Sequence, residues 1–195
     1  MDCLRKQSPS IRKSERGKYD QLDKRKKMRK ISVGIKGVFA KVDDVDHEYL
    51  KKLLWSEGGA HSGKKQYAIH EGKRNIRMHR LVYEKRTGKK IPEGMEIDHK
   101  NGDRMDNRLM NLRLATHQQN SFNVSKKTKN PISIYKGVWY RKDHGRVKRW
   151  CADIKISGKK IHIGTFLTEK EAAEAYNIEA ERYQGEFACL NRISK

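Results

Sequence analysis

The chain has 195 residues, few enough for one or two small domains, and its 46 Lys and Arg against 24 Asp and Glu leave a formal net charge of +22. So large an excess implies a polyanionic partner. Nucleic acid ranks ahead of an anionic membrane, because no apolar run approaches the roughly 20 residues of a spanning helix and no secretory apolar segment follows Met1.

In chain order, residues 1–30 carry 12 Lys or Arg and 4 Asp or Glu with few large apolar residues. They read as a flexible basic arm, since such a segment buries too little apolar surface to offset the entropy of ordering. Short β-like runs follow at Ile31 to Val42 and Gln66 to Ile69, with a helical-looking DVDHEYLKKLLW between them. This small α+β leader runs into Met78-His79-Arg80-Leu81-Val82-Tyr83.

The stretch MEIDHKNGDRMDNRLMNLRLATHQQN, residues 95–120, is the chemically informative one. Its apolar start ends in Asp98 and His99, Asn101-Gly102 signals a tight reversal, and Arg113-Leu114-Ala115 reads as the return strand. Thr116 with Gln119 forms a capping-box pattern, so a helix starting near 117 carries Asn120 in its first turn. Two strands and a helix make a ββα unit. Hydrolysing a phosphodiester needs a base for water, a cation for the developing charge and help for the departing 3′ oxygen. His99 suits the base, and Asp98 with Asn120 offers hard oxygen ligands for Mg²⁺ or Mn²⁺. Asn111 stands just before the return strand, where it can bond across the loop and orient His99. His117 reads as a helix-start residue and His79 as structural.

Residues 126–134, KKTKNPISI, read as a linker broken by Asn130-Pro131. Beyond it RWCADIKI alternates, with Trp150, Ala152, Ile154 and Ile156 on one face and Arg149, Cys151, Asp153 and Lys155 on the other. Gly137 to Arg141 and Lys160 to Ile163 alternate too, with Ser157-Gly158 as the turn, which predicts a three-stranded antiparallel sheet. Thr168 with Glu171 opens a helix whose Ala172, Ala173, Tyr176, Ala180 and Tyr183 can cover the greasy face, up to Gly185. Trp139, Arg141, Arg149, Lys155, Lys160 and His162 then point outward as a group able to enter a major groove. Cys3, Cys151 and Cys189 are odd in number and lack C-x-x-C spacing, which excludes a disulfide framework or zinc knuckle and suggests a reducing, cytoplasmic setting.

Two resemblances follow from these motifs. MHRLVYE at 78–84 with IPEGMEIDHKNGDRMDNRLMNLRLATHQQN at 91–120 resembles the HNH endonucleases of the phage and intron-encoded branch. The resemblance implies His99 as general base, Asn111 as orienting residue and Asp98 with Asn120 as metal ligands; Asn120 stands where many relatives have histidine. The Tyr-Lys-Gly-Val, Gly-Thr-Phe and Glu-Ala-Ala-x-Ala-Tyr motifs from Tyr135 onward resemble an AP2/ERF DNA-binding domain. Trp139 and His162 depart from the arginine and tryptophan usual there, so base preference does not carry over.

Together these imply an α+β chain: a ββα-metal HNH nuclease unit over 31–125 with its leader, then a three-stranded sheet packed on one helix over 135–192. The expected function is metal-dependent, site-directed cleavage of double-stranded DNA, with one divalent ion per active site, no membrane partner, and a monomer or weak dimer on DNA. If phage-encoded, it would act in the host cytoplasm. The rival from another class is a non-catalytic, sequence-specific DNA-binding regulator that keeps the ββα unit as scaffold. A generic RNA-binding basic protein is a third.

Overall fold

The computed structural model describes residues 27–34, 37–58, 67–72, 75–125, 132–142, 147 and 149–193. Most of the basic arm and of the linker lies outside these residues. Among the described residues ten short strands and four helices make a mixed α and β architecture with four small antiparallel sheets.

The leader begins with the antiparallel pair β1 (Met28–Val33) and β2 (Val38–Asp43), so the β-like run at 31–42 falls on two strands and not one. Helix α1 (Asp44–Leu50) follows and stops well short of Trp55, whose indole donates to the Leu50 carbonyl at 2.8 Å. Strands β3 (Ser56–Gly58), β4 (Tyr67–His70) and β5 (Ile76–Arg77) form a second sheet, and helix α2 (Met78–Thr87) grows directly out of β5. Gly88 ends α2 in the left-handed conformation that a side chain would resist.

Strands β6 (Met95–His99) and β7 (Leu112–Thr116) pair antiparallel, and helix α3 (His117–Phe122) packs on both. The cap of α3 is the reciprocal one that Thr116 and Gln119 predict. Asn101-Gly102 does not close a tight hairpin. Gly102 donates to the His99 carbonyl at 2.8 Å, and the chain then makes a long excursion with a 3₁₀ turn at Leu109–Asn111 before returning. That loop is fastened to the leader: Lys41 N donates to Met105 O at 2.7 Å and Asn107 N to Lys41 O at 2.8 Å. Leader and hairpin share one buried cluster that includes Val33, Val42, Leu50, Met78, Val82, Ile97 and Leu112.

A second buried cluster belongs to the C-terminal sheet. Its order is β10 (Lys159–Phe166), β9 (Trp150–Ile156), β8 (Val138–Tyr140), and α4 (Glu169–Gln184) lies on it. Val138, Ala152 and Ile154 meet Ala172, Ala173, Tyr176 and Ala180, the faces that alternation and helical spacing predict, whereas Tyr183, in the last turn of α4, is exposed beneath Arg182 instead of covering the sheet. Small alanines let the helix approach closely, and Gly137 shows how closely. Its φ is +76°, and a Cβ there would sit 2.1 Å from the Tyr176 ring. Gly137→Ala should therefore destabilise the protein by about 2–4 kcal/mol, combining left-handed strain with overpacking. A denaturant titration showing no loss would mean that the helix can back away from the strand.

Candidate active site

In the β6/β7 register Asp98 stands opposite Arg113, and His99 opposite Leu112. Cross-strand neighbours on one face are close enough for long side chains to pair. Here the Asp98 Oδ2 accepts from Arg113 Nε at 2.8 Å and Nη2 at 2.7 Å, with both side chains almost wholly buried. Asn123, one residue past α3, donates its amide to Asp98 Oδ1 at 3.0 Å and to the His99 carbonyl at 2.7 Å. The carboxylate is thus fixed from the return strand and from the helix end. A carboxylate has about four lone-pair sites, so these bonds leave acceptor capacity for a cation.

His99 is buried, and its ring Nε2 lies 3.4 Å from Asn107 Oδ1. The Asn107 amide nitrogen donates to the Met105 carbonyl at 3.3 Å, and a carbonyl can only accept. That fixes the amide with its oxygen toward the imidazole, so Nε2 carries the hydrogen and Nδ1 is the basic nitrogen. Burial pushes the His99 pKa down and outweighs the opposing pull of the Asn107 bond and the Asp98 charge, which favours the neutral ring a base requires. The His79 ring meets it edge-on at 4.9 Å, and burial holds His79 well below its usual pKa. His79 is therefore a buried neutral packing partner.

Asn120 donates its amide nitrogen to Glu96, which also takes the His117 Nδ1 at 3.0 Å. Because Glu96 can only accept, the Asn120 carbonyl oxygen is the atom left for a ligand. Asp98, His99 and Asn120 line one cleft with Tyr67, Arg104 and Asn123, with about 70 Å³ of room. This is several times the 10–15 Å³ or so that one water requires. Among the described residues no three His, Cys, Asp or Glu side chains gather to hold a metal. The donor set that does converge, one carboxylate and one amide oxygen, fits a hard cation completed by water and phosphate oxygens.

Asn111 crosses the loop with its side chain. It bridges the loop, donating to the Asp106 carbonyl at 2.7 Å and accepting from Asn101 N at 3.1 Å, but the His99 ring bonds Asn107, not Asn111. Its hold on His99 runs through the backbone, where Lys100 N donates to Asn111 O at 2.9 Å. Asp106 anchors the same loop, its carboxylate gripped by Arg108 Nε at 2.8 Å and Nη2 at 2.7 Å and by the Asn101 amide at 2.9 Å.

The outward face of the C-terminal sheet carries Trp139, Arg141, Lys155, Lys160 and His162 as alternation predicts, but not as bare charges. Asp153 sits among them, accepting from Trp139 Nε1, from Lys160 Nζ at 2.7 Å and from His162 Nδ1 at 2.7 Å. Burial pushes its pKa up, yet these three donors win and hold the carboxyl below its usual range. Arg141 lies over the Trp139 ring at 5.8 Å, Lys155 is exposed, and Arg149 donates to the Tyr140 hydroxyl at 3.2 Å.

Several contributors were not singled out from the sequence. Glu96 could have been found two residues before Asp98 on the same strand face, and Asn123 three residues after Asn120 at helical spacing. Arg113 needed the hairpin register. Tyr67 had no local signal, since it reaches the cleft from the leader.

A hairpin and a helix thus present an acid, a neutral imidazole and an amide oxygen to one cleft. The HNH endonuclease family profile matches residues 77–122, from the start of α2 to the end of α3. An uncharacterized HNH endonuclease of Acanthamoeba polyphaga mimivirus is 34% identical over 158 residues, covering 81% of this chain and 77% of that protein. This chain belongs to the HNH endonuclease family. Protein 3.8 of Escherichia phage T7 is 32% identical over 112 residues, 57% of this chain and 88% of its own. The C-terminal part is similar to plant proteins: the AP2-like ethylene-responsive transcription factor PLT2 of Arabidopsis thaliana is 46% identical over 61 residues, 30% of this chain and 10% of that protein. No solved structure matches the chain. No helix among the described residues is long and apolar enough to cross a membrane.

Asp106 gives a pH test of the loop. Burial raises its pKa, but the Arg108 and Asn101 bonds outweigh that and leave it lowered on folding. Such a group adds stability above its unfolded pKa of about 3.9, lost as pH falls through the lower folded value. Asp106→Asn should melt lower than the parent at neutral pH and lose less on acidification; parallel melting curves against pH would remove Asp106 from this role.

Proposed function

We propose that this endonuclease is a site-directed, homing-type enzyme that hydrolyses phosphodiester bonds of double-stranded DNA with the help of one divalent ion, Mg²⁺ or Mn²⁺. Residues 31–125 form its cutting unit, residues 135–192 its DNA-reading unit, and residues 1–30 and 126–134 a basic arm and linker that add phosphate contacts. One fact carries most weight: Asp98, His99 and Asn120 line a single cleft.

His99 is the general base. Its Nδ1 takes a proton from water while the water oxygen bonds to phosphorus; the bond from phosphorus to the 3′ oxygen breaks, and that oxygen is protonated from solvent. Asn107 keeps the Nε2 hydrogen in place and so keeps Nδ1 available, while Asn111 holds the loop ends together. Asp98 and Asn120 hold the ion, which supplies charge neutralisation at the phosphate and the departing oxygen. Arg113 and Asn123 fix the Asp98 carboxylate, and Glu96 turns the Asn120 oxygen toward the cleft.

Recognition falls to Trp139, Arg141, Lys155, Lys160 and His162 on the outer sheet, with Arg149 beside Tyr140 at its edge, Arg being suited to guanine edges and Lys to phosphates. The Asp153 bonds support this by presetting Trp139, Lys160 and His162 before DNA arrives. One active site per chain implies a nick by a monomer and a double-strand break only when two chains act together. A reducing, cytoplasmic setting agrees with the free thiols of Cys151 and Cys189.

Supercoiled plasmid and host genomic DNA incubated with purified protein and Mg²⁺ should be cut, and chelation should stop it. His99→Ala should slow cutting by about 10²–10⁴-fold with DNA binding retained; a variant that cuts at the parent rate removes His99 as the base. Arg141→Ala should weaken binding to the cognate site, obtained by selecting cleaved sequences from a random library, by about 1–3 kcal/mol. An equal loss on every sequence would instead assign Arg141 to phosphate.

A further inference from the structure

We propose that Arg104 is a catalytic residue that contacts the scissile phosphate and that Tyr67, from the leader, holds it in place, a role that presupposes the nuclease function proposed above. Both side chains line the cleft that contains Asp98, His99 and Asn120. The Arg104 guanidinium lies 4.5 Å from the centre of the Tyr67 ring, and Arg77 lies over the same ring at 5.0 Å. That ring is 6.2 Å from the His99 ring and 5.1 Å from the His79 ring. One aromatic ring therefore holds two guanidinium groups, and of these Arg104 shares the cleft with the imidazole proposed to activate water.

Stacking on an aromatic uses the face of a guanidinium, whereas the donors that match two phosphate oxygens lie in its plane. A stacked arginine is thus held without surrendering the geometry that grips a phosphate. The backbone around Arg104 is held as well. Lys41 receives Asn107 N, donates to Met105 O, and places its own Nζ 3.0 Å from Asp103 Oδ2, so β2 ties down residues on both sides of position 104.

The chemistry calls for such a group. A phosphodiester carries one negative charge, and attack by hydroxide adds a second that spreads over the non-bridging oxygens. Preorganised donors aimed at developing charge are among the largest contributors to catalysis. The Asp98 carboxylate beside the cleft is engaged by Arg113 and Asn123. Tyr67 precedes the matched family region of 77–122, which makes the leader sheet a part of the active site and not only a support for it.

The test is single-turnover cutting of DNA by the full chain, with affinity measured separately in chelator and folding checked by thermal melting. Arg104→Ala should cut about 10²–10³-fold more slowly than the parent with affinity little changed, and added guanidine should restore part of the rate. Arg104→Gln, which keeps the stem but not the charge, should be similarly slow and carries the test if the alanine variant does not fold. Tyr67→Leu should slow cutting less than Arg104→Ala. A folded Arg104→Ala or Arg104→Gln variant that cuts at the parent rate overturns the assignment and leaves the nuclease function standing. A parent that cuts no DNA overturns both.

Discussion

The bond between Asp98 and Arg113 is the constraint on which the site depends. A carboxylate this deeply buried is costly unless a cation and further donors compensate it, and removing one partner of such a pair leaves an uncompensated charge. Arg113 supplies the compensation from the facing position on β7, and Asn123 supplies a second bond from the end of α3. Strand register, helix length and carboxylate direction are consequently set together. A one-residue slip of the hairpin would turn Arg113 to the other face and strand the acid without its partner.

The same economy governs the loop between β6 and β7. Its asparagines look alike in the sequence but divide the labour: Asn101 binds Asp106, Asn107 faces His99, and Asn111 closes the loop neck. Each amide carries a donor and an acceptor, which lets one residue type satisfy buried backbone and also fix the direction of a side chain. The leader makes this possible by lending β2 as an edge for the loop backbone. Without it, His99 would sit at the mouth of an unsupported excursion.

Much of this was legible in the sequence where the signals are local. Thr116 and Gln119 located α3, alternation in RWCADIKI located β9 and its buried face, and the order of Asp98, His99 and Asn120 anticipated a shared cleft. What escaped depends on register or on distant chain. Asn111 bonds across the loop as expected, but the partner of the His99 ring is Asn107, whose orientation the Met105 carbonyl fixes and whose spacing gave no sign of it. Asn101-Gly102 makes the tight turn it signals, but the hydrogen bonds to Lys41 that shape the long loop beyond it could not be read from that turn. Asp153 was placed on the correct face, but its role as the acceptor for three neighbours follows from their reach, not from their positions in the chain.

Arg113 has a second side. Its guanidinium lies 4.0 Å from the centre of the Phe187 ring and donates to the Glu186 carbonyl, both in the turn that ends α4. The residue that clamps the buried Asp98 is therefore roofed by the turn at the far end of the sheet-covering helix. An exchange of C-terminal halves between relatives at about residue 126 would strip that roof and wet the clamp, unless the incoming half brought an aromatic to the same spot. Exchange of the C-terminal half is thus limited by one cation's need for shelter.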